Sequence, residues 1–224
     1  MKLALLILLC VQSLHAGTNF TIQLGPATIA IATPPGYVEG GPERRKSFPA
    51  NSPHALLGWF VRTNDLPLFD PGATNFLRHH LQVQTFKDWT GRTMSAETFA
   101  KFAGAAGNKN LGDMNTIASD VQKMLATADV GSKIEVAPPR QLGSLFRDTN
   151  AFGNLMLVGY AIPFTNGVKR VPMLVGNATV RIDGKCFFMY AYEYLEARNL
   201  QAASNKIVAV LKPWVDATLQ ANRK

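Results

Sequence analysis

The sequence predicts an α+β fold, a three-layer α/β/α sandwich around a central antiparallel sheet. Between residues 153 and 196 three apolar runs follow one another, separated by the short turn signals Asn166-Gly167 and Asp183-Gly184. Connections that short cannot make the crossover that parallel strands require, so the runs pair antiparallel. The runs are also apolar on both sides. In the last of them Phe188, Tyr190 and Tyr192 point one way, and Phe187, Met189 and Ala191 the other. A half-exposed antiparallel sheet alternates apolar with polar residues. This one does not, so both faces need cover, and the sequence offers amphipathic helices to provide it.

Taken in order, the chain opens on what reads as a secretory signal. Lys2 is the positive start, Leu3 to Val11 the apolar run, and Ser13-Leu14-His15-Ala16 a cleavage site before Gly17. The run is shorter than the about 20 residues of a spanning helix, so an uncleaved anchor is the lesser alternative. Cys10 lacks the small residues that precede a lipidated cysteine. The expectation is an exported chain, periplasmic or secreted, with residues 1–16 removed. Residues 17–224 then form a single domain long enough to bury a core, without a transmembrane segment.

Phe20 to Leu24 and Ala27 to Ile31 read as strands broken by Gly25-Pro26. Residues 34–54 read as a long loop rich in proline and glycine, carrying the charged run Glu43-Arg44-Arg45-Lys46; a loop of that length is functional or disordered. Ala55 to Val61 and His79 to Phe86 are strands, with a second broken loop from Asp65 to Asn75 between them. Ser95 caps a helix that runs through Phe99 and Phe102, with Glu97 in its first turn. Asp113 caps another, whose Met114, Ile117, Val121 and Leu125 share one face. The strands of the meander follow: Leu155 to Ile162, Val171 to Ile182, and Cys186 to Tyr192. Last comes an amphipathic series from Leu200 to Asn222, in which Pro213 should kink or break the helix.

Charge and cysteine content narrow the function classes. A formal charge of +8 and a pI near 9.7 favour an acidic partner surface. Only 17% of the residues are charged and no run resembles a nucleic-acid arm, so nucleic acid is not expected. With Cys10 removed, Cys186 stands alone, which excludes an intramolecular disulfide and a cysteine cage for a metal.

Few residues present themselves for chemistry. His79 and His80 are neighbours on a strand and project to opposite faces, so they cannot hold one ion together. Cys186 heads an apolar strand, where a free cysteine acts as a small hydrophobe, and only Lys185 favours its ionisation. Ser144 lacks the flanking glycines of a nucleophile elbow, and residues 107–112 lack the ending of a phosphate loop. No metal site, no cofactor and no catalytic residue is expected. Asn19-Phe20-Thr21 and Asn177-Ala178-Thr179 have the form of glycosylation sequons. Tyr190, Tyr192 and Tyr194 either pack a helix on the sheet or line a binding surface; the packing role is favoured for the first two, and Tyr194 reaches the edge.

The order of these elements resembles the Mog1/PsbP-like group of α/β/α sandwiches: an early strand leading to Pro34-Pro35-Gly36-Tyr37, helices in mid-chain, a meander ending at Cys186 to Tyr194, and a terminal helix carrying Trp214. The resemblance covers residues 19–222 in layout. It implies the sandwich and a non-catalytic role in partner binding or assembly. The long loop at 34–54 and the helical region from Met94 to Asp129 depart from a minimal member.

The expected function is therefore that of an exported non-catalytic accessory or partner-binding protein. Its partner would be a protein or an acidic macromolecule, met through Arg44, Arg45, Lys46 and Tyr194. The alternatives are an exported hydrolase or thiol enzyme using Cys186 or a serine with His79 or His80, and a carrier of a small apolar ligand.

Overall fold

The structure is a computed structural model, and it describes residues 19–42, 45, 50, 52–68, 79–106, 135–136, 140–164, 167–195 and 200–223. The helix expected from Asp113 lies outside the described residues, as do residues 43, 44, 46–49 and 51 of the loop at 34–54. In chain order the elements are β1 (Phe20–Leu24), β2 (Ala27–Ile31), β3 (Tyr37–Glu39), β4 (His54–Arg62), β5 (His79–Phe86), α1 (Ala96–Ala106), β6 (Glu135–Val136), β7 (Arg140–Asp148), β8 (Ala151–Phe164), β9 (Gly167–Ile182), β10 (Lys185–Tyr194) and α2 (Leu200–Ala221). Short 3-10 turns follow β4 and β5.

β3 to β10 form one eight-stranded sheet in the order β3-β4-β5-β10-β9-β8, with β6 and β7 both pairing with β8. Every pairing is antiparallel. The expected meander is its centre. β9 turns into β10 through Asp183 and Gly184 at φ 49° and 76°, with Ile182 opposite Lys185. Both residues stand in the left-handed region that a two-residue hairpin turn requires. At the preceding connection Phe164 pairs with Gly167, so the glycine of that signal belongs to β9.

Alternation divides the sheet into two faces. The α2 face holds the larger core: Phe60, Leu81, Val83, Leu155, Leu174, Val180, Phe187 and Met189 pack against Ile207, Leu211, Trp214 and Val215 of α2. Gly176 makes this approach possible, since a Cβ there would lie 2.8 Å from Leu211 Cδ2 and nearer still to Ile207. Each large side chain buried here contributes about 1.5–3 kcal/mol.

β1 and β2 join the same core as a separate two-stranded sheet through Ile22, Leu24, Ile29 and Ile31. The outer edge of β2 is satisfied by side chains of α2. Ala30 N donates to Asn222 Oδ1 at 3.0 Å, and Trp214 Nε1 and Asn222 Nδ2 donate to the carbonyls of Ala32 and Ala30 at 2.6 and 2.7 Å. An edge strand capped in this way is closed to pairing with another chain.

α1 covers one end of the opposite face. Ser95 Oγ accepts from Thr98 N at 3.1 Å, the expected cap, and Phe99 and Ala103 pack on Phe152 and Cys186. The protein is thus a three-layer α+β sandwich, with one helix on each face of a central antiparallel sheet among the described residues.

Pro213 does not break the terminal helix, which is continuous from Leu200 to Ala221. Pro213 and Ala209, whose carbonyl loses its donor, both lie on the exposed side. Water replaces the missing bond while the buried stripe holds the helix to the sheet.

Candidate functional site: the α1 face of the sheet

The α1 face differs in chemistry from its counterpart. Register places Cys186, Phe188, Tyr190, Tyr192 and Tyr194 of β10 on it, beside Gln84, Gln82 and His80 of β5. From β8 and β9 come Phe152, Asn154, Met156, Asn177 and Thr179. Gln82, Gln84, Asn154 and Thr179 are buried, an unusual polar content for the middle of a sheet.

Aromatic rings form a near-continuous band across this face. Phe102 meets Phe152 and Trp89, and Trp89 meets Phe86 and Phe188 at 4.8 and 5.7 Å between centroids. Phe188 continues to Tyr190, and Tyr190 to Tyr192. His80 stacks on Tyr192 at 4.3 Å, and Trp59 lies 5.7 Å beyond His80. His54 packs on Phe86 at 4.5 Å. Burial holds its pKa below the usual histidine value, with a hydrogen bond to Gln84 opposing the shift. The ring is therefore neutral at pH 7 and behaves as one more aromatic group.

The band ends at a cavity of about 530 Å³ lined by Trp89, Arg92, Met94, Thr98 and Cys186 among others. Arg92 on its wall and Lys101 farther along α1 are exposed, each in a solvated pair with an acid four residues away, Asp88 and Glu97. Such pairs contribute little and leave the cations able to change partners. A larger open groove of about 1110 Å³ lies between the β9–β10 turn and the end of α2, with Arg181, Lys212, Asp148 and Asp216 on its walls. Lys212 bridges both aspartates there.

The groups named for chemistry do not meet. Cys186 is buried, its thiol pushed up to about 11 by burial against a weaker pull from Arg181. It lies 3.6 Å from Met94 Sδ and is protonated at neutral pH. His79 is on the α2 face, bonded to Glu193, while His80 is on the α1 face; the two project apart as their adjacency predicts. Ser144 stands in β7 opposite Asn154. Among the described residues no group of three or more metal-ligating side chains comes together.

The sequence reading missed Glu193. It is 4% exposed and accepts from His79 Nδ1 and from Lys206 Nζ, the latter at 2.7 Å. Burial alone would raise its pKa; the bonds from His79 and Lys206 outweigh it and hold the carboxyl below its usual value. Its place as the one acid within the apolar run Lys185–Tyr194, next to the end of β10, was the available signal.

Of the residues expected to meet a partner, Arg44 and Lys46 lie outside the described residues. Arg45 is half-buried, paired with Glu39 and set over the Phe20 ring at 5.3 Å. Tyr194 packs beside Val158, Met173 and Val175, also half-buried. Neither cavity described above includes Tyr194. The sequon at Asn177 is set in the middle of β9 with Thr179 buried, whereas Asn19 and Thr21 are exposed.

Fold and face together define an α+β sandwich with an aromatic and amide surface on one side of its sheet. Among the described residues no helix is long and apolar enough to cross a membrane. No protein-family model and no curated protein sequence matches the chain. Two solved structures are similar: the Ran-binding protein Mog1p of Saccharomyces cerevisiae, at 13% identity and a TM-score of 0.31 over 92% of this chain and 90% of that one, and a point mutant of Mog1, at 13% and 0.31 over 91% and 90%. The likeness is a weak Mog1-like resemblance of fold. It also corrects one expectation. The exported, periplasmic or secreted location is set aside, because the matched structures are of a yeast Ran-binding protein.

Proposed function

We propose that this chain is a non-catalytic accessory protein that binds a protein partner through the aromatic end of its α1 face. The observation that carries the reading is the band from Phe102 through Trp89 and Phe188 to Tyr190, in which Phe102, Trp89 and Tyr190 are part-exposed and Trp89 also lines a cavity of about 530 Å³. Recognition surfaces concentrate aromatic residues at their centre and keep charge at the rim. Here Arg92, on the wall of the cavity, is an exposed cation whose pair with Asp88 is solvated, and the net charge of +8 suits an acidic partner.

Phe102, 36% exposed, is the place to test it. Affinity capture from an extract of the source cells, compared between the native chain and Phe102→Asp, should lose the captured proteins in the variant while the melting temperature stays the same. An unchanged set of proteins, or none above background, contradicts the proposal.

The same cavity favours a second reading, a carrier of a small apolar ligand, because Trp89, Met94 and Cys186 offer it a soft apolar wall. Release of a small molecule on denaturing the purified chain, with no protein captured, would favour the carrier.

A further inference from the structure

The groove between the β9–β10 turn and the end of α2 has no part in the reading above. Among the described residues Asp148, Arg181, Asp183, Lys212, Asp216 and Arg223 line it. Acids and bases are equal in number, yet they are not paired evenly. Lys212 Nζ lies 3.1 Å from Asp148 Oδ2 and 2.6 Å from Asp216 Oδ1, so one cation serves two acids. Asp183 is not free either. No acid pairs with Arg181 or Arg223 among the described residues.

Arg181 is the unusual member. It stands near the end of β9 on the α1 face, half-buried beside the segment that leads into α1. Its Nε donates to the Met94 carbonyl at 2.7 Å and its Nη1 to Asn150 Oδ1 at 3.2 Å. Both acceptors are neutral, so the charge is held in one place without being balanced. A neutral donor would tie the same two segments without the cost of withdrawing a charge from water. What a guanidinium adds is a rigid, planar set of donors that matches the two oxygens of a carboxylate. Nη2 makes no hydrogen bond among the described residues and remains for such a ligand.

We propose that this groove is a binding site for a small hydroxylated organic acid, whose carboxylate pairs with Arg181 and is drawn in by Arg223. The site is separate from the partner-binding reading and does not depend on it. A single negative charge suits it better than a phosphate dianion, because Asp148, Asp183 and Asp216 share the groove and repel the second charge. Those acids instead accept hydroxyl hydrogens, and the exposed Thr93, Ser95 and Thr149 line the same walls with hydroxyls of their own. Arg181 is positioned in advance by its two bonds, which lowers the ordering cost of capture. The groove, open and of about 1110 Å³, has room for a sugar acid.

Isothermal titration calorimetry at low ionic strength tests it, with glucuronate, galacturonate and gluconate set against glucose and inorganic phosphate. At least one of the three acids should bind the native chain about tenfold tighter, or more, than glucose or phosphate does. Arg181→Lys keeps the charge but loses the fork, and should weaken that acid about tenfold while leaving glucose unchanged. Arg223→Ala, at an exposed position just past α2, should weaken it about threefold. If Arg181→Lys does not fold, Arg223→Glu decides instead, since a like charge on that wall should abolish binding of the acid. No heat from any of the three acids, equal affinity in the native chain and the variants, glucose bound as tightly as the acids, or phosphate bound in their place overturns the site. Capture of proteins through Phe102 is untouched by either result.

Discussion

The two faces of one sheet are built from the same strands, yet they solve different problems. On the α2 face Phe187, Met189 and Val180 meet a helix that lies close enough to need Gly176 beneath it, and the buried acid Glu193 has two basic partners. On the α1 face the same strands present Tyr190, Asn177 and Asn154, and one buried acceptor goes without a donor. The difference teaches where to look for function. A face that satisfies every polar group it buries is explained by stability alone, and a face that does not has a reason outside the fold.

The comparison is sharpest where the helix sits closest. Gly176→Val puts side-chain carbons where Ile207 and Leu211 already are, and should destabilise by about 1–3 kcal/mol or more through overpacking. Denaturant unfolding measures it. An enlargement by one methylene at the part-exposed Asn177 on the other face, Asn177→Gln, should change stability by less than about 1 kcal/mol.

A smaller effect is expected at Glu193, whose bonds to His79 and Lys206 tie β10 and β5 to α2. Hydrogen bonds to a charged group contribute about 1.5–3 kcal/mol, and Lys206 is half-exposed, so Glu193→Gln should cost near the lower end. The pH dependence has a definite sign. The folded pKa lies below the unfolded one, so the contribution is complete above the ordinary glutamate value of about 4.3 and is lost as pH falls through the lowered folded value. Thermal melts of the native chain and Glu193→Gln should converge in that acid window and separate above it.

Much of this arrangement could be read from the sequence because the signals were local. The run Cys186 to Tyr192 announces a strand with two apolar sides, Asp183-Gly184 announces its turn, and Ser95 announces the cap of α1. What escaped depended on pairing. β7 was not foreseen because bulges between Gln141 and Gly143 and between Ser144 and Phe146 destroy the period of two along it. β3 lay unseen within the proline-rich loop, since a strand of that length has no periodicity to show. The break considered at Pro213 does not occur, since the effect of a proline depends on which side of the helix faces water. The candidate site was legible in part: the tyrosines of β10 were singled out, but its polar side chains gather only across strands, and Asn154, Asn177 and Gln82 carry no sign in their own segments that they stand together.

The claim that the two faces of the sheet differ, the α2 face carrying a fully buried core and the other bearing part-exposed aromatic rings, can be tested with the chain's own tryptophans. Trp214 is 2% exposed on the α2 face, while Trp59 and Trp89 are part-exposed on the other side. In three variants that each keep a single tryptophan, acrylamide should quench Trp59 and Trp89 several times more effectively than Trp214. Trp59 and Trp89 as shielded as Trp214, or Trp214 as open as they are, would contradict the division on which the account depends.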